Sequence, residues 1–95
     1  AEARIGELEP SIEIADDADT GATRISIFTP DRDGLFFRIC AALAGAGANI
    51  IDARIHTTRD GRALDNLLVL NGQGRPYGDK RHRARIERAL YAALT

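Results

Sequence analysis

The chain has 95 residues, 44% of them hydrophobic, and a formal net charge of −1, which describes one small domain with apolar material for a single core. No apolar run approaches the roughly 18 residues of a membrane span, and the acidic N-terminus has neither the basic start nor the apolar stretch of a signal peptide. The single cysteine, Cys40, excludes a disulfide framework and a cysteine-based metal site, and fits a reducing, cytoplasmic setting.

Residues 1–10 read as a linker, Glu-rich, with Gly6 and Pro10 and little periodicity. Ser11-Ile12-Glu13-Ile14 alternates polar and apolar residues as a short half-buried strand does. A polar turn follows over residues 16–21. Thr23-Arg24-Ile25-Ser26-Ile27-Phe28-Thr29 alternates again, and the two segments should pair as an antiparallel hairpin. Pro30 ends the second strand, and Asp31 or Asp33 is placed to cap a helix by accepting from its unpaired N–H groups. From Gly34 to Ala46, Leu35, Phe36, Ile39, Cys40 and Leu43 recur at helical spacing and form one apolar stripe, with Phe37 and Arg38 off it. Cys40 reads as a small buried hydrophobe rather than a reactive thiol. Gly45 and Gly47 bracket the helix stop, where a left-handed residue is cheap only for glycine.

Residues 48–58 read as a strand with Ile51, Ala53, Ile55 and Thr57 on one face and Asp52, Arg54 and His56 on the other. Asp60-Gly61 predicts a hairpin through a type I′ turn, with residues 63–70 as the partner strand. Its run Leu67-Leu68-Val69-Leu70 is apolar on both faces, as in a central strand or a covered sheet face. Asp65 is expected opposite Arg54 in a cross-strand salt bridge. After a Gly/Pro loop over residues 71–78, Asp79 is the expected N-cap of a last helix that buries Ile86, Ala89, Leu90, Ala93 and Leu94. The order β-β-α-β-β-α predicts an α+β fold: a four-stranded sheet ordered 11–15, 23–29, 63–70, 48–58, both helices on one face, and a right-handed crossover through the first helix.

Charge is segregated along the chain. Residues 1–20 carry seven acids against Arg4, whereas residues 80–88 carry Lys80, Arg81, Arg83, Arg85 and Arg88 against Glu87. Without interleaved exposed aromatics the basic stretch reads as a solvated helix face, so neither a nucleic-acid nor a membrane partner is expected. Met is absent, position 1 included, and a piece of a longer polypeptide is expected.

Chemistry concentrates in two corners, Pro30-Asp31-Arg32-Asp33-Gly34-Leu35-Phe36 and Ala46-Gly47-Ala48-Asn49-Ile50-Ile51. If the crossover brings them together, a helix N-terminus suits a carboxylate and Gly34 allows close approach. Asp31 can accept from an ammonium group, and Asn49 offers a donor and an acceptor. Those are the groups that hold a free amino acid. The alternative stays open that Asp31 only caps the helix and Asn49 only takes an awkward turn conformation. His56 and His82 have no second ligand at metal spacing, and no nucleophile triad or acid pair is evident. An RNA-binding sheet would need stacking aromatics on its central strands, where only Phe28 stands. A phosphate cradle in the first loop would face Asp31 and Asp33.

Asp31-Arg32-Asp33-Gly34-Leu35-Phe36 followed by Gly47-Ala48-Asn49-Ile50 resembles the signature of ACT domains, small regulatory modules that bind amino acids. The longer run from Gly47 through Asp65 resembles the first of two tandem C-terminal ACT domains in the bacterial family of PII-protein uridylyltransferases/uridylyl-removing enzymes. The resemblance spans residues 11–95 and implies the ferredoxin-like ACT fold. It also implies a regulatory, non-catalytic role for this segment, with no cofactor and with L-glutamine or another small amino acid as ligand. A second ACT domain or a second copy would be the immediate partner, and the PII protein a partner through the parent enzyme. The site residues it implies are Asp31, Gly34, Leu35, Asn49, Ile50 and Ile51, with the ligand lying between two modules. Asp33 stands where the family commonly has proline, and an acid in the first helical turn is itself favourable. An interaction module that binds no ligand and holds domains together through its sheet edge is the alternative, and a ferredoxin-like enzyme is a third.

Overall fold

The computed structural model describes residues 10–94. The chain runs β1 (Ser11–Asp16), β2 (Thr23–Pro30), α1 (Leu35–Gly45), β3 (Asn49–Thr57), β4 (Arg62–Leu70) and α2 (Lys80–Leu94). The four strands form one sheet ordered β1-β2-β4-β3, with every neighbouring pair antiparallel, as the alternation pattern predicts. Of the linker expected over residues 1–10, all but Pro10 lies outside the described residues, as does Thr95.

Alternation explains the layering. In β2 every second residue from Thr23 to Thr29 is buried, and in β4 the buried set is Ala63, Asp65, Leu67 and Val69, so one face of the two central strands is packed. Ile39 and Leu43 of α1 and Ile86, Leu90 and Leu94 of α2 join Ile25, Ile27, Leu67 and Val69 in one apolar cluster, which places both helices on that face. On the other face, Leu68 and Leu70 are half-buried. Ser26 donates to Asn66 Oδ1 at 2.8 Å there, and the Arg62 guanidinium lies 5.3 Å from the Phe28 ring centroid.

Three local expectations need correction. Only Gly61, at φ 83°, has a positive φ in the β3–β4 turn, whereas a type I′ turn needs two such residues. Thr58 N–H donates to Arg62 O at 2.7 Å, closing a loop of three residues, the form that ends in one left-handed glycine. Second, β3 carries a bulge between Ile50 and Asp52. Ile51 is the extra residue and is 51% exposed, while Ile50 packs against the core. Third, the three-residue loop sets Asp65 opposite Ile55, and Arg54 opposite Asn66. Arg54 therefore lies on the open face, 3.7 Å from Asp52, and the Asp65–Arg54 bridge is not formed.

Candidate functional site

The first corner is strapped to the β3–β4 turn: Asp31 N–H donates to Gly61 O at 2.9 Å. The chain then turns, with Leu35 N–H donating to Arg32 O at 3.2 Å. Gly34 occupies the N-cap of α1 in a left-handed conformation, and no side chain caps the helix. The capping expected of Asp31 or Asp33 is thus not made, because Gly34 itself takes the N-cap place from which a side chain would reach back to the first amides. Of the four amides that any helix start leaves without an intrahelical partner, Leu35 uses Arg32 O, and Arg38 N–H makes the first intrahelical bond to Gly34 O. The amides of Gly34, Phe36 and Phe37 are the donors on offer among the described residues.

These residues, with Ile55, Ala63 and Asp65, line an open cavity of about 320 Å³, a size within the roughly 300–1,000 Å³ of small-molecule clefts. Asp65 is the residue that sequence reasoning placed wrongly. It sits on β4 between Ile27 of β2 and Ile55 of β3, is 1% exposed, and neither carboxylate oxygen has a hydrogen-bond partner among the described residues. Burial pushes its pKa up, and the charge of Asp31 adds to the rise. Cys40 is partly exposed rather than buried; burial, and secondarily the Asp65 charge, push its thiol up. Leu35 is 4% exposed and lines the cavity from the core side.

At the second corner α1 ends in paired bonds, Ala48 N–H to Leu43 O at 2.9 Å and Gly47 N–H to Ala44 O at 3.0 Å. Gly47 is at φ 83°, as a left-handed helix stop requires. Asn49 is exposed, donates through Nδ2 to Asn71 O at 3.2 Å, and pairs with Leu70. Pro30 instead pairs with Arg62, so Asn49 and Asp31 stand at opposite ends of β4, roughly 25 Å apart at the usual strand rise. The structure brings Asp31, Gly34 and Leu35 together and sets Asn49, Ile50 and Ile51 apart. The convergence expected within one chain is not observed, because β3 enters antiparallel to β4 at the far end.

The open sheet face holds a second concavity of about 350 Å³, but its guanidinium groups already have carboxylates, Arg24–Asp17 at 3.6 Å and Arg54–Asp52 at 3.7 Å. Among the described residues no group of three or more His, Cys, Asp or Glu is arranged to hold a metal ion, and no helix is long and apolar enough to cross a membrane.

An antiparallel four-stranded sheet carrying two helices on one face, with a ligand-sized cavity where the first helix begins, defines a class of small α+β modules. The family described as ACT domain matches residues 23–86. Over 84 residues the chain is 48% identical to a bifunctional uridylyltransferase/uridylyl-removing enzyme of Erythrobacter litoralis, covering 88% of this chain and 9% of that protein. It is 50% identical over 74 residues to the enzyme of the same description in Zymomonas mobilis, covering 78% and 8%. That in Gluconobacter oxydans is 40% identical over 75 residues, covering 79% and 8%. No solved structure matches. The chain belongs to the ACT domain family, and it spans about a tenth of the length of the curated relatives it matches.

Proposed function

We propose that this chain is an amino-acid-binding regulatory module, sensing L-glutamine for a uridylyltransferase/uridylyl-removing enzyme that acts on the PII protein in a bacterial cytoplasm. The observation that carries the reading is the cavity at the start of α1, which combines an uncapped helix N-terminus with carboxylates. A helix start attracts the carboxylate of a zwitterion and the acids attract its ammonium. The module's work is binding, not catalysis: a ligand that favours one arrangement of the parent enzyme shifts its population by the difference in affinity.

The separation of Asn49 from Asp31 fits a ligand held between two modules. β3 is an edge strand, and two edges laid antiparallel set the Asn49 end of one beside the 31–34 loop of the other. The exposed apolar residues of this edge suit such a contact: Ile51 is 51% and Ile55 53% exposed on β3, and Phe37 of α1, which lines the same cavity as Ile55, is 77% exposed. Calorimetric titration with L-glutamine, on a polypeptide carrying this module and its neighbour, tests the reading. Asn49→Ala is expected to weaken binding about tenfold or more, at the roughly 1.5–3 kcal/mol of a hydrogen bond to a charged group, and Asp31→Ala by less, because its carboxylate is exposed. Unchanged affinity in both variants rejects the site. The same exposed edge favours a second reading, a ligand-free interaction module; a dimer whose size is indifferent to amino acids would support it instead.

A further inference from the structure

Asp65 is the one buried acid of the cavity, and the zwitterion reading above gives it no role. Its neighbours across the sheet are Ile27 and Ile55. Of the charged groups in the first loop, Asp31 and Asp33 are exposed acids, and Arg32 donates to Leu94 O at 3.0 Å at the end of α2. Arg32 is thereby committed to the helix C-terminus, where carbonyls and the dipole favour a cation. From α1 the Cys40 thiol interacts electrostatically with Asp65. A carboxylate with both oxygens unsatisfied at 1% exposure costs folding free energy that a hydrophobic residue at this place would not. It is also an acceptor of full strength for a donor that arrives from the cavity it lines.

We propose that Asp65 is the ammonium-recognition residue of the first-loop cavity: a bound amino acid donates from its –NH3+ to the two Asp65 oxygens, while its carboxylate lies toward the Phe36 and Phe37 amides. The proposal rests on the amino-acid-binding reading and sharpens it. Asp31, at the exposed rim, is left a steering role, because a charge pair in water is worth far less than one at a buried floor. Burial and Asp31 push the Asp65 pKa up when the cavity is empty, and a bound ammonium ion opposes that rise. Glutamine affinity is therefore expected to climb as pH rises across the Asp65 titration, which a merely structural Asp65 would not produce.

The test is isothermal titration of a polypeptide carrying this module and its neighbour with L-glutamine and with 4-carbamoylbutyrate, its counterpart lacking the amino group, for native protein and Asp65→Asn. Each is run at several pH values. The native protein is expected to prefer glutamine by about 10- to 100-fold, the more so as pH rises. Asp65→Asn is expected to lose that preference and its pH dependence while melting no lower than native. An Asp65→Asn protein that binds glutamine like native, or keeps its preference over the des-amino compound, overturns the Asp65 assignment and leaves the amino-acid reading standing. A native two-module polypeptide that takes up none of the common amino acids overturns that reading instead. The Asp65 carboxyl ¹³C resonance, titrated with methylammonium, then decides the assignment: movement upholds an ammonium site for another ligand, and no movement rejects it.

Discussion

Both helices follow a loop that carries aspartate, and they start in opposite ways. At α2 the Asp79 carboxylate accepts from Arg81 N–H at 2.9 Å, and Asp79 O accepts from Arg83 N–H at 3.1 Å. The His82 ring lies 3.2 Å from the second carboxylate oxygen, and the Arg83 side chain reaches Tyr77 O at 2.7 Å and pairs with Asp16. That helix start is filled by the chain's own groups. At α1 a left-handed glycine stands at the N-cap, no side chain caps the turn, and a buried carboxylate lies beside it unpartnered. Asp79 satisfies one helix start at once; at the other, Gly34 and Asp65 leave both a donor end and an acceptor open. The difference separates a helix start that is structural from one that is available to a ligand.

Replacing Asp65 should expose the contrast most strongly. Asp65→Leu, matching the flanking isoleucines, is expected to raise stability near neutral pH by about 1–3 kcal/mol, the usual cost of an unsatisfied buried polar group, or a melting point higher by several degrees. The sign follows from the raised pKa. Native stability is fullest below the unfolded carboxyl pKa, near 4, where Asp65 is protonated in both states, and it falls as pH rises through the higher folded value. Urea denaturation of native and variant across that range should show a gap that opens with increasing pH. A gap constant with pH would mean that Asp65 is paired in solution.

How much of this was legible beforehand depends on what each feature needs. Strand order, both hairpins and the stop of α1 at Gly47 follow from alternation and from Gly or Asp-Gly punctuation, which are local signals. Asp79 as a cap is local too. The Asp65 pairing was misplaced by one step of register: Thr58 closes on Arg62, so Asp65 meets Ile55 instead of Arg54, while alternation with Ala63, Leu67 and Val69 sets it on the packed face. Nothing in Thr58-Arg59-Asp60-Gly61-Arg62 forces this register over its neighbours. The bulge at Ile51 is equally silent in an apolar run such as Ile50-Ile51. The separation of Asn49 from Asp31 could have been found, because two antiparallel pairings through β4 set the start of β3 at the end of β4 remote from Pro30.

Gly34 gives the next largest effect. Its Cβ position meets nothing within 4 Å, so a side chain there clashes with no neighbour and the cost is conformational alone. Gly34→Ala is expected to lose about 1–2 kcal/mol, the penalty of a left-handed backbone for an L-residue, and Gly34→Asn less, because asparagine tolerates that region. Thermal melts of the pair would check it. Equal losses in both variants would point to occupied space instead of backbone conformation.

The smallest effect belongs to the capped start, and it closes the comparison because the two starts are then tested alike. Asp79→Ala removes the acceptor of the Arg81 amide, and an exposed cap of this kind is worth about 1 kcal/mol. Asp79→Ser retains an oxygen at the same place and should recover most of the loss in a denaturant titration. Glutamine affinity should stay at the native value in both variants, because Asp79 opens the helix after β4 and lines no wall of the first-loop cavity. An Asp79 variant that destabilises the fold while sparing binding, set beside an Asp65 variant that stabilises the fold while losing it, would divide the two helix starts by role. If Asp79→Ala weakened binding as much as Asp65→Asn, the distinction between a structural and an available helix start would fail.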